Sequence, residues 1–277
     1  MTCGAPWPDL GCSNGDLGSQ LSKRPGMILQ ASIPYNPLQA QPLPGIKPLE
    51  LADWLRPDEA CNEQLAYRSA LLGEKGDKVL RMDPGAQPAA QELLEVVLDH
   101  RYGAARDHVI RPDGARVTID WQNPLATLGQ ICQEDFCILE RREGCAEHVL
   151  TGAVLCFPAS WTLAEKFMRP LIGIHDTVDS YDDSMARRVQ RLFDGVQVGR
   201  PLWRFNALWY HSPELYAPRS VHDPRDQSHG KDAPYLRSEK QVILRLPNSR
   251  SVVFSIHTYM VHRDDVMAQW GGRAPSR

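Results

Sequence analysis

Hydrophobic and polar positions divide the chain into a helix-rich first part and a strand-rich second part. In the first part, leucines recur at helical spacing within residues 62–76 and 89–103, which predicts two amphipathic helices. Residues 31–60 contain six prolines and are predicted to form an extended arm that Trp54 and Leu55 anchor to a domain.

Strand-like patterns dominate from residue 136 onward, after a short predicted helix at 124–133. Two β-rich runs around a glycine-containing turn predict a hairpin at about 136–157. Two helical segments follow, and the second has an inward hydrophobic stripe and outward arginines. Three more strands are then predicted, at 201–211, 236–247 and 251–260. The polar residues 212–235 are too many for a hairpin turn and predict a lid or a disordered insertion.

This order of elements predicts an α+β fold in which helices pack on one face of five antiparallel strands. A helical crossover between the second and third strands is the order found in PAS domains. The predicted segments are a disordered tail at 1–30, an arm with helices at 31–123, a PAS-like domain at 124–262 and a C-terminal tail at 263–277.

Composition and charge exclude several classes of protein. A chain of 277 residues can bury a large core, and its net charge of −3 gives no basic surface for nucleic acid. No apolar run approaches the roughly 18 residues of a membrane span, and the N-terminus lacks the features of a secretory signal. We therefore expect a cytoplasmic protein without nucleic-acid or membrane partners. The sequence does not indicate an oligomeric state.

Common catalytic and metal motifs are missing from the sequence. It contains no Walker loop, dinucleotide-binding glycine motif, serine-hydrolase elbow or zinc-type spacing. The seven cysteines are odd in number and scattered, which argues against a disulfide framework. Cys132 and Cys137 have the first spacing of a plant-type iron–sulfur loop, but Cys145 comes too late to continue it.

His175 lies at the end of the apolar run PLIGIH, where two interpretations are possible. The first is a core histidine hydrogen-bonded to the backbone. The second is an axial haem ligand, because a neutral imidazole in an apolar slot binds iron and leaves the opposite face free for oxygen. In the second case Asp176 is a candidate acceptor that fixes the imidazole tautomer. The residues alone leave both interpretations open.

Several segments, in order over about 200 residues, carry a family resemblance: QEDFCILE, FPASWTLAEKFMRPLIGIH, RLFDGVQVGRPLWRFN and LRSEKQVILRLPNSRSVVFSIHTY. In this succession the chain resembles the haem-dependent oxidative N-demethylase α-subunit family. The resemblance implies a PAS fold that holds haem b, with His175 as the proximal iron ligand. It also implies dioxygen as co-substrate, a small amine as substrate, and electrons from an external flavin and iron–sulfur reductase.

The chain departs from the family pattern near the expected pocket. The histidine is followed by DTVDSY where the family usually continues with x-P-V-P, and Lys240 and His257 stand where the family usually has arginine and arginine or lysine. These changes imply that haem binding carries over better than specificity for dimethylamine. We expect a polar or zwitterionic amine, such as an amino acid, larger than dimethylamine.

The resemblance and the strand patterns together give a set of candidate site residues. Lys166 and Arg169 are candidates for binding haem propionates, although a solvated helix face explains them equally well. The candidate catalytic residues are Arg204, Asn206, Glu239 and His257. Arg204 and Asn206 share one strand face, as do Glu239 and Gln241. An arginine there would stabilise developing negative charge, and a carboxylate would hold a protonated amine. Interstrand or surface charge pairs are the alternative.

The leading hypothesis is a haem-dependent oxygenase that oxidises a small amine or amino-acid nitrogen with O2 and external electrons. One alternative is a haem-based PAS gas or redox sensor. Such sensors carry a linked output domain, and only a short segment follows Tyr259. The other alternative is a haem-free relative in which His175 is a core residue.

Overall fold

The structure is a computed structural model of the chain and describes residues 27–39, 45–145, 147–175, 183–223 and 232–272, with residues 175 and 183–186 described by backbone only. The strands are β1 (Lys47–Pro48), β2 (Leu80–Met82), β3 (His108–Ile110), β4 (Arg116–Thr118), β5 (Asp135–Glu140), β6 (Val149–Val154), β7 (Leu202–Tyr210), β8 (Tyr235–Arg245) and β9 (Val252–His262). The helices are α1 (Cys61–Lys75), α2 (Gln87–Arg101), α3 (Pro124–Ile131), α4 (Leu163–Lys166), α5 (Leu171–His175), α6 (Asp183–Gly195) and α7 (Arg263–Trp270). Short 3-10 turns lie at Leu51–Asp53, Gly76–Lys78 and Pro84–Ala86.

Among these residues, seven strands form one antiparallel sheet in the order β1-β7-β8-β9-β5-β6-β2, and β3 and β4 form a separate hairpin. The α+β class and the antiparallel sheet are therefore confirmed, and the five expected strands form its centre. The outer strands β1 and β2 were not predicted. With two and three residues, they are too short to show an alternating pattern.

Helices cover both faces of this sheet, so the prediction of helices on one face holds only for the second half of the chain. On one face, which we call the arm face, lie the N-terminal arm and helices α1 to α3. The predicted anchor Trp54 is buried there, and its indole Nε1 donates a hydrogen bond to Ser255 Oγ at 2.8 Å. Gly129 lets α3 pack closely against β6, because a Cβ at this position would lie 2.8 Å from Cγ2 of Val154.

The opposite face, which we call the helical face, packs against α4, α5 and α6. The predicted stripe on α6 is confirmed for Val189, Leu192 and Phe193, all of which contact this second core. On α5, Leu171 is buried and Ile174 packs against the same core. Pro170 and Ile172, which belong to the apolar run PLIGIH, are exposed, because a helix turns only one side toward the sheet.

A buried ion pair joins α1 to the start of β5. Arg68 Nη1 lies 2.7 Å from Asp135 Oδ1, and both side chains are almost completely buried. Arg68 also donates to the backbone carbonyls of Gly129, Gln133 and Glu134, while Asp135 accepts from the amides of Cys156 and Phe157. Each buried charge therefore has several partners, as burial of a charge requires.

The segment 212–235 is only partly described, because residues 224–231 lie outside the described residues. Before them, Leu215 is buried and Ala217 forms a bridge with Ala159, so this part of the segment packs on the domain. In the part of the chain that the structure describes, no helix combines the length and hydrophobicity that a membrane crossing needs.

Candidate functional site

A patch of polar side chains lies on the helical face of strands β7, β8 and β9. We call it the polar patch, and its members are Arg204, Asn206, Arg237, Glu239, Gln241 and Thr258. Strand pairing aligns Arg204 with Gln241, Asn206 with Glu239, and Glu239 with Thr258. Residues that are paired or two apart point to the same side of a sheet, so the patch is continuous.

Hydrogen bonds connect the patch into a network. Arg204 Nη1 donates to Gln241 Oε1 at 3.0 Å, and Gln241 Nε2 donates to Glu239 Oε2 at 3.2 Å. Asn206 Nδ2 donates to the same Glu239 oxygen at 3.0 Å. The other oxygen, Oε1, lies 3.6 Å from Arg237 Nε, which is an ion-pair contact beyond hydrogen-bond length. The structure thus brings together three of the four predicted catalytic residues, together with Gln241.

Three buried polar atoms in the patch have no hydrogen-bond partner among the described residues. They are Arg204 Nε, Arg237 Nε and Thr258 Oγ1. An unpaired buried polar group costs about 1–3 kcal/mol, and few native groups remain unpaired. This concentration on one side of the sheet makes the polar patch a candidate binding site, where a bound molecule or water would supply the partners.

An apolar region borders the polar patch on the same face. Ile256 lies directly opposite Gln241 in the strand register, and it belongs to the core that also contains Cys137, Leu171 and Ile174. Helix α5 packs on this region and ends at His175. The side chain of His175 lies outside the described residues, as do Asp176 and Thr177. The structure therefore places the backbone that carries the predicted haem ligand beside the apolar region.

Lys166, a predicted propionate partner, contacts the end of α5. Its ammonium Nζ donates to the carbonyl oxygen of Ile174 at 2.7 Å and lies 5.0 Å from the centre of the Trp161 ring. Burial lowers the pKa of this amine, an effect that Cys137 and Glu165 partly oppose. Arg169, the other predicted propionate partner, is exposed. In this arrangement Lys166 fixes the peptide that precedes His175.

His257 does not lie with the other three predicted catalytic residues. It is buried on the arm face, where its Nδ1 is 2.9 Å from Glu134 Oε1 and its Nε2 is 3.0 Å from Asp58 Oδ2. Lys240, its cross-strand neighbour, lies on this face too and donates to the carbonyl of Asp53. Strand alternation is the physical reason. Lys240 lies between Glu239 and Gln241, and the paired His257 lies next to Thr258, so both side chains point to the face opposite the polar patch.

The surroundings of His257 make it a buried cation. Burial lowers the pKa of this imidazole, but hydrogen bonds and charges from Asp58 and Glu134 outweigh burial and raise it to about 9. The same contacts lower the pKa of Asp58, although burial opposes this. Because Asp58 belongs to the arm and Glu134 precedes β5, the imidazolium ties the arm to the sheet.

This raised pKa predicts a loss of stability at alkaline pH. In the unfolded chain the imidazole titrates near its ordinary value of about 6.5. The stabilisation is therefore complete below about pH 6.5 and is lost as the pH rises through about 9. We expect the free energy of unfolding to fall by about 3 kcal/mol across this range. Urea denaturation at several pH values measures it.

Two variants separate this effect from other titrations. His257→Gln should be less stable at pH 6.5 and should lose the alkaline decline. His148→Gln is the matched control, because His148 is equally buried but burial lowers its pKa, with Asp194 opposing, so the decline should persist. An unchanged decline in His257→Gln would refute the assignment.

Sequence reasoning missed Arg237 and Thr258 in the patch, and Asp58 and Glu134 around His257. Arg237 and Thr258 lie in predicted strands at the right alternation, so the strand register was the missing information. Asp58 is 199 positions from His257 in the sequence, and no local pattern connects the two. Among the described residues, histidine, cysteine and acidic side chains form no cluster of three or more that is suited to a metal ion.

One comparison with known proteins assigns the chain to a family. The family model described as haem-dependent oxidative N-demethylase, alpha subunit-like, matches residues 45–274, which include every strand of the main sheet and helices α1 to α7. The match extends over most of the chain and agrees with the resemblance found in the sequence. This chain therefore belongs to the haem-dependent oxidative N-demethylase alpha-subunit-like family.

Proposed function

We propose that this chain is a haem-dependent oxygenase that oxidatively demethylates a small amine. The observation that carries the proposal is the family match over residues 45–274. The position of the polar patch supports it, because unpaired polar atoms border an apolar region beside the helix that ends at His175.

The central strands support a PAS-like fold for this domain. Within the larger sheet they follow the order β6-β5-β9-β8-β7, and helices α4 to α6 fill the crossover between β6 and β7. In the chain, β5 and β6 precede the helical crossover and β7, β8 and β9 follow it, which is the order of elements found in PAS domains. In such an arrangement a ligand would bind between the sheet and the crossover helices, on the face that holds the polar patch and the apolar region contacted by α5.

The residues on this face fit haem b. A porphyrin needs an apolar slot, and the core around Leu171, Ile174 and Ile256 supplies apolar walls. The polar patch borders these walls and would supply the polar surroundings that the charged edge of the group needs. His175 would hold the iron of the haem. Haem, when bound, supplies the oxygen-activating chemistry, and the protein supplies ligand, orientation and local charge.

The chain's own residues have separate tasks in this proposal. Lys166 holds the carbonyl of Ile174 and so fixes the end of α5 next to the ligand. Gln241 and Asn206 orient Glu239, and Gln241 also orients Arg204. The resulting fixed charges bind the polar end of the amine without reorganising during the reaction. Helix α6 covers the apolar region and limits access of water.

The overall reaction balances with an external source of electrons. One methyl group on nitrogen is oxidised and leaves as formaldehyde, and the nitrogen regains a hydrogen. One atom of O2 goes to formaldehyde and the other to water, which requires two electrons and two protons. We propose that a separate flavin or iron–sulfur reductase provides the electrons.

From this we predict no turnover with NADPH alone. The sequence has no dinucleotide-binding motif or iron–sulfur cysteine set, so the chain has no route for hydride or electrons from NADPH. The haem-loaded chain should therefore release no formaldehyde with NADPH and an N-methylated amine, whereas dithionite reduction followed by O2 should yield it. Sustained formaldehyde production with NADPH alone would disprove this prediction.

Haem titration tests the proposed function at its first step. The full chain should bind haem at one per chain, with a Soret band that differs from that of free haem and shifts when an amine is added. A spectrum that stays identical to free haem throughout the titration would refute the proposal.

A further inference from the structure

We propose that Arg204 binds the carboxylate of the substrate, so that the substrate is an N-methylated amino acid rather than a simple alkylamine. This inference rests on the proposed function for the reaction, and it adds the substrate class. It comes from the donors and acceptors that the polar patch leaves without partners.

Arg204 has hydrogen-bond donors that no described residue accepts from. A guanidinium has five N–H donors, and the one hydrogen bond of Arg204 within the described residues goes from Nη1 to Gln241. Its Nε is buried and unpaired. Burial lowers the pKa of Arg204, with Glu239 opposing, so this cation is partly desolvated. A carboxylate is the group whose two oxygens match a guanidinium edge.

Glu239 has an oxygen that accepts no hydrogen bond from the described residues. Its Oε2 accepts two side-chain hydrogen bonds, from Asn206 and Gln241. Its Oε1 accepts none among the described residues and lies 3.6 Å from Arg237 Nε. One carboxylate oxygen is therefore available as an acceptor for an ammonium group. Arg204 on β7 pairs with Gln241 on β8, and Glu239 lies two residues from Gln241 on the same face of the sheet. The Arg204 guanidinium and the Glu239 carboxylate are therefore within reach of one small molecule.

A zwitterion satisfies both groups, whereas an alkylamine satisfies only one. Dimethylamine offers N–H donors to Glu239 and has no acceptor for Arg204 Nε, which would stay buried and unpaired. An N-methylated amino acid offers a nitrogen to Glu239 and a carboxylate to Arg204. Lys240 is no substitute for Arg204, because it lies on the arm face and contacts Asp53.

A pair of ligands that differ only in the carboxylate provides the test. N-methylglycine and dimethylamine are both secondary methylamines, and isothermal titration calorimetry measures their affinities for the full chain with and without haem. We expect N-methylglycine to bind more tightly. Arg204→Met should weaken N-methylglycine binding by about 10- to 100-fold and change dimethylamine binding by less than about 3-fold. Arg204→Lys, which keeps the charge, should lie between.

Lys240→Met is the matched control, because it removes one cation from the opposite face of the neighbouring strand β8; it should leave both affinities unchanged. Equal affinities of the wild-type chain for the two amines would overturn the inference, as would an equal loss for both in Arg204→Met and Arg204→Lys. Calorimetry on the haem-free chain keeps this test separate from the haem titration, whose failure would refute the proposed function instead.

Haem propionates are the other possible source of a carboxylate for Arg204. Reconstitution with haem and with haem dimethyl ester distinguishes them. If Arg204 holds the substrate, Arg204→Met should bind both forms of haem as the wild type does. A selective loss of affinity for haem, with the ester unaffected, would assign Arg204 to the cofactor and overturn the substrate assignment.

Discussion

Replacing His175 with alanine is expected to abolish stable haem binding. We propose that the imidazole forms the bond between the protein and the iron. Without it only apolar contacts would hold the porphyrin, and we expect that binding to be weak. Haem stoichiometry after gel filtration and the ligand-field spectrum measure the effect. Added imidazole should restore a histidine-like spectrum in the variant.

His211→Ala is the control, because His211 is exposed just after β7 and should have no effect on haem. The circular dichroism of both variants reports whether the fold is intact. A His175→Ala protein that binds one haem per chain with an unchanged spectrum would contradict the ligand assignment.

Replacing Arg68 with methionine is expected to lower the free energy of unfolding by about 3–5 kcal/mol. The substitution leaves the buried carboxylate of Asp135 with only two backbone donors, and it removes the donor from three backbone carbonyls. Urea denaturation monitored by tryptophan fluorescence measures the loss.

Arg106→Met is the matched surface control. Arg106 pairs with Glu95 and Asp99, but all three side chains are roughly half exposed, so the change should cost less than about 1 kcal/mol. Equal losses in the two variants would show that the pair of Arg68 and Asp135 is not the link between α1 and the sheet.

The elements that the sequence predicts well are those in which hydrophobic residues recur at helical or alternating spacing over several residues. Helices α1 and α2, the hairpin of β5 and β6, and strands β7 to β9 all show a helical or alternating pattern over several residues. Strand β1 has two residues and no period, and only its pairing with β7 makes it a strand. The side of the sheet that each helix covers depends on long-range packing, so the placement of α1 to α3 was missed.

The candidate site, like the fold, has a part that local sequence patterns predict and a part that they do not. The shared faces of Arg204 with Asn206 and of Glu239 with Gln241 follow from alternation within one strand. The face of His257 relative to them depends on the register between β8 and β9, which the turn after Arg245 sets. A sequence without aligned relatives gives no access to that register, and His257 was therefore grouped with residues from which the sheet separates it.

A single-turnover measurement tests the proposed oxygenase most directly. The haem-loaded chain is reduced to the ferrous state and mixed with O2 in the presence of N-methylglycine or dimethylamine. A reduced mediator then supplies the second electron per haem, and formaldehyde is counted per haem. The account predicts up to about one formaldehyde per two electrons delivered, in an amount that depends on the amine. A long-lived oxygen complex with no formaldehyde from either amine would contradict it and would indicate a gas-binding protein without turnover.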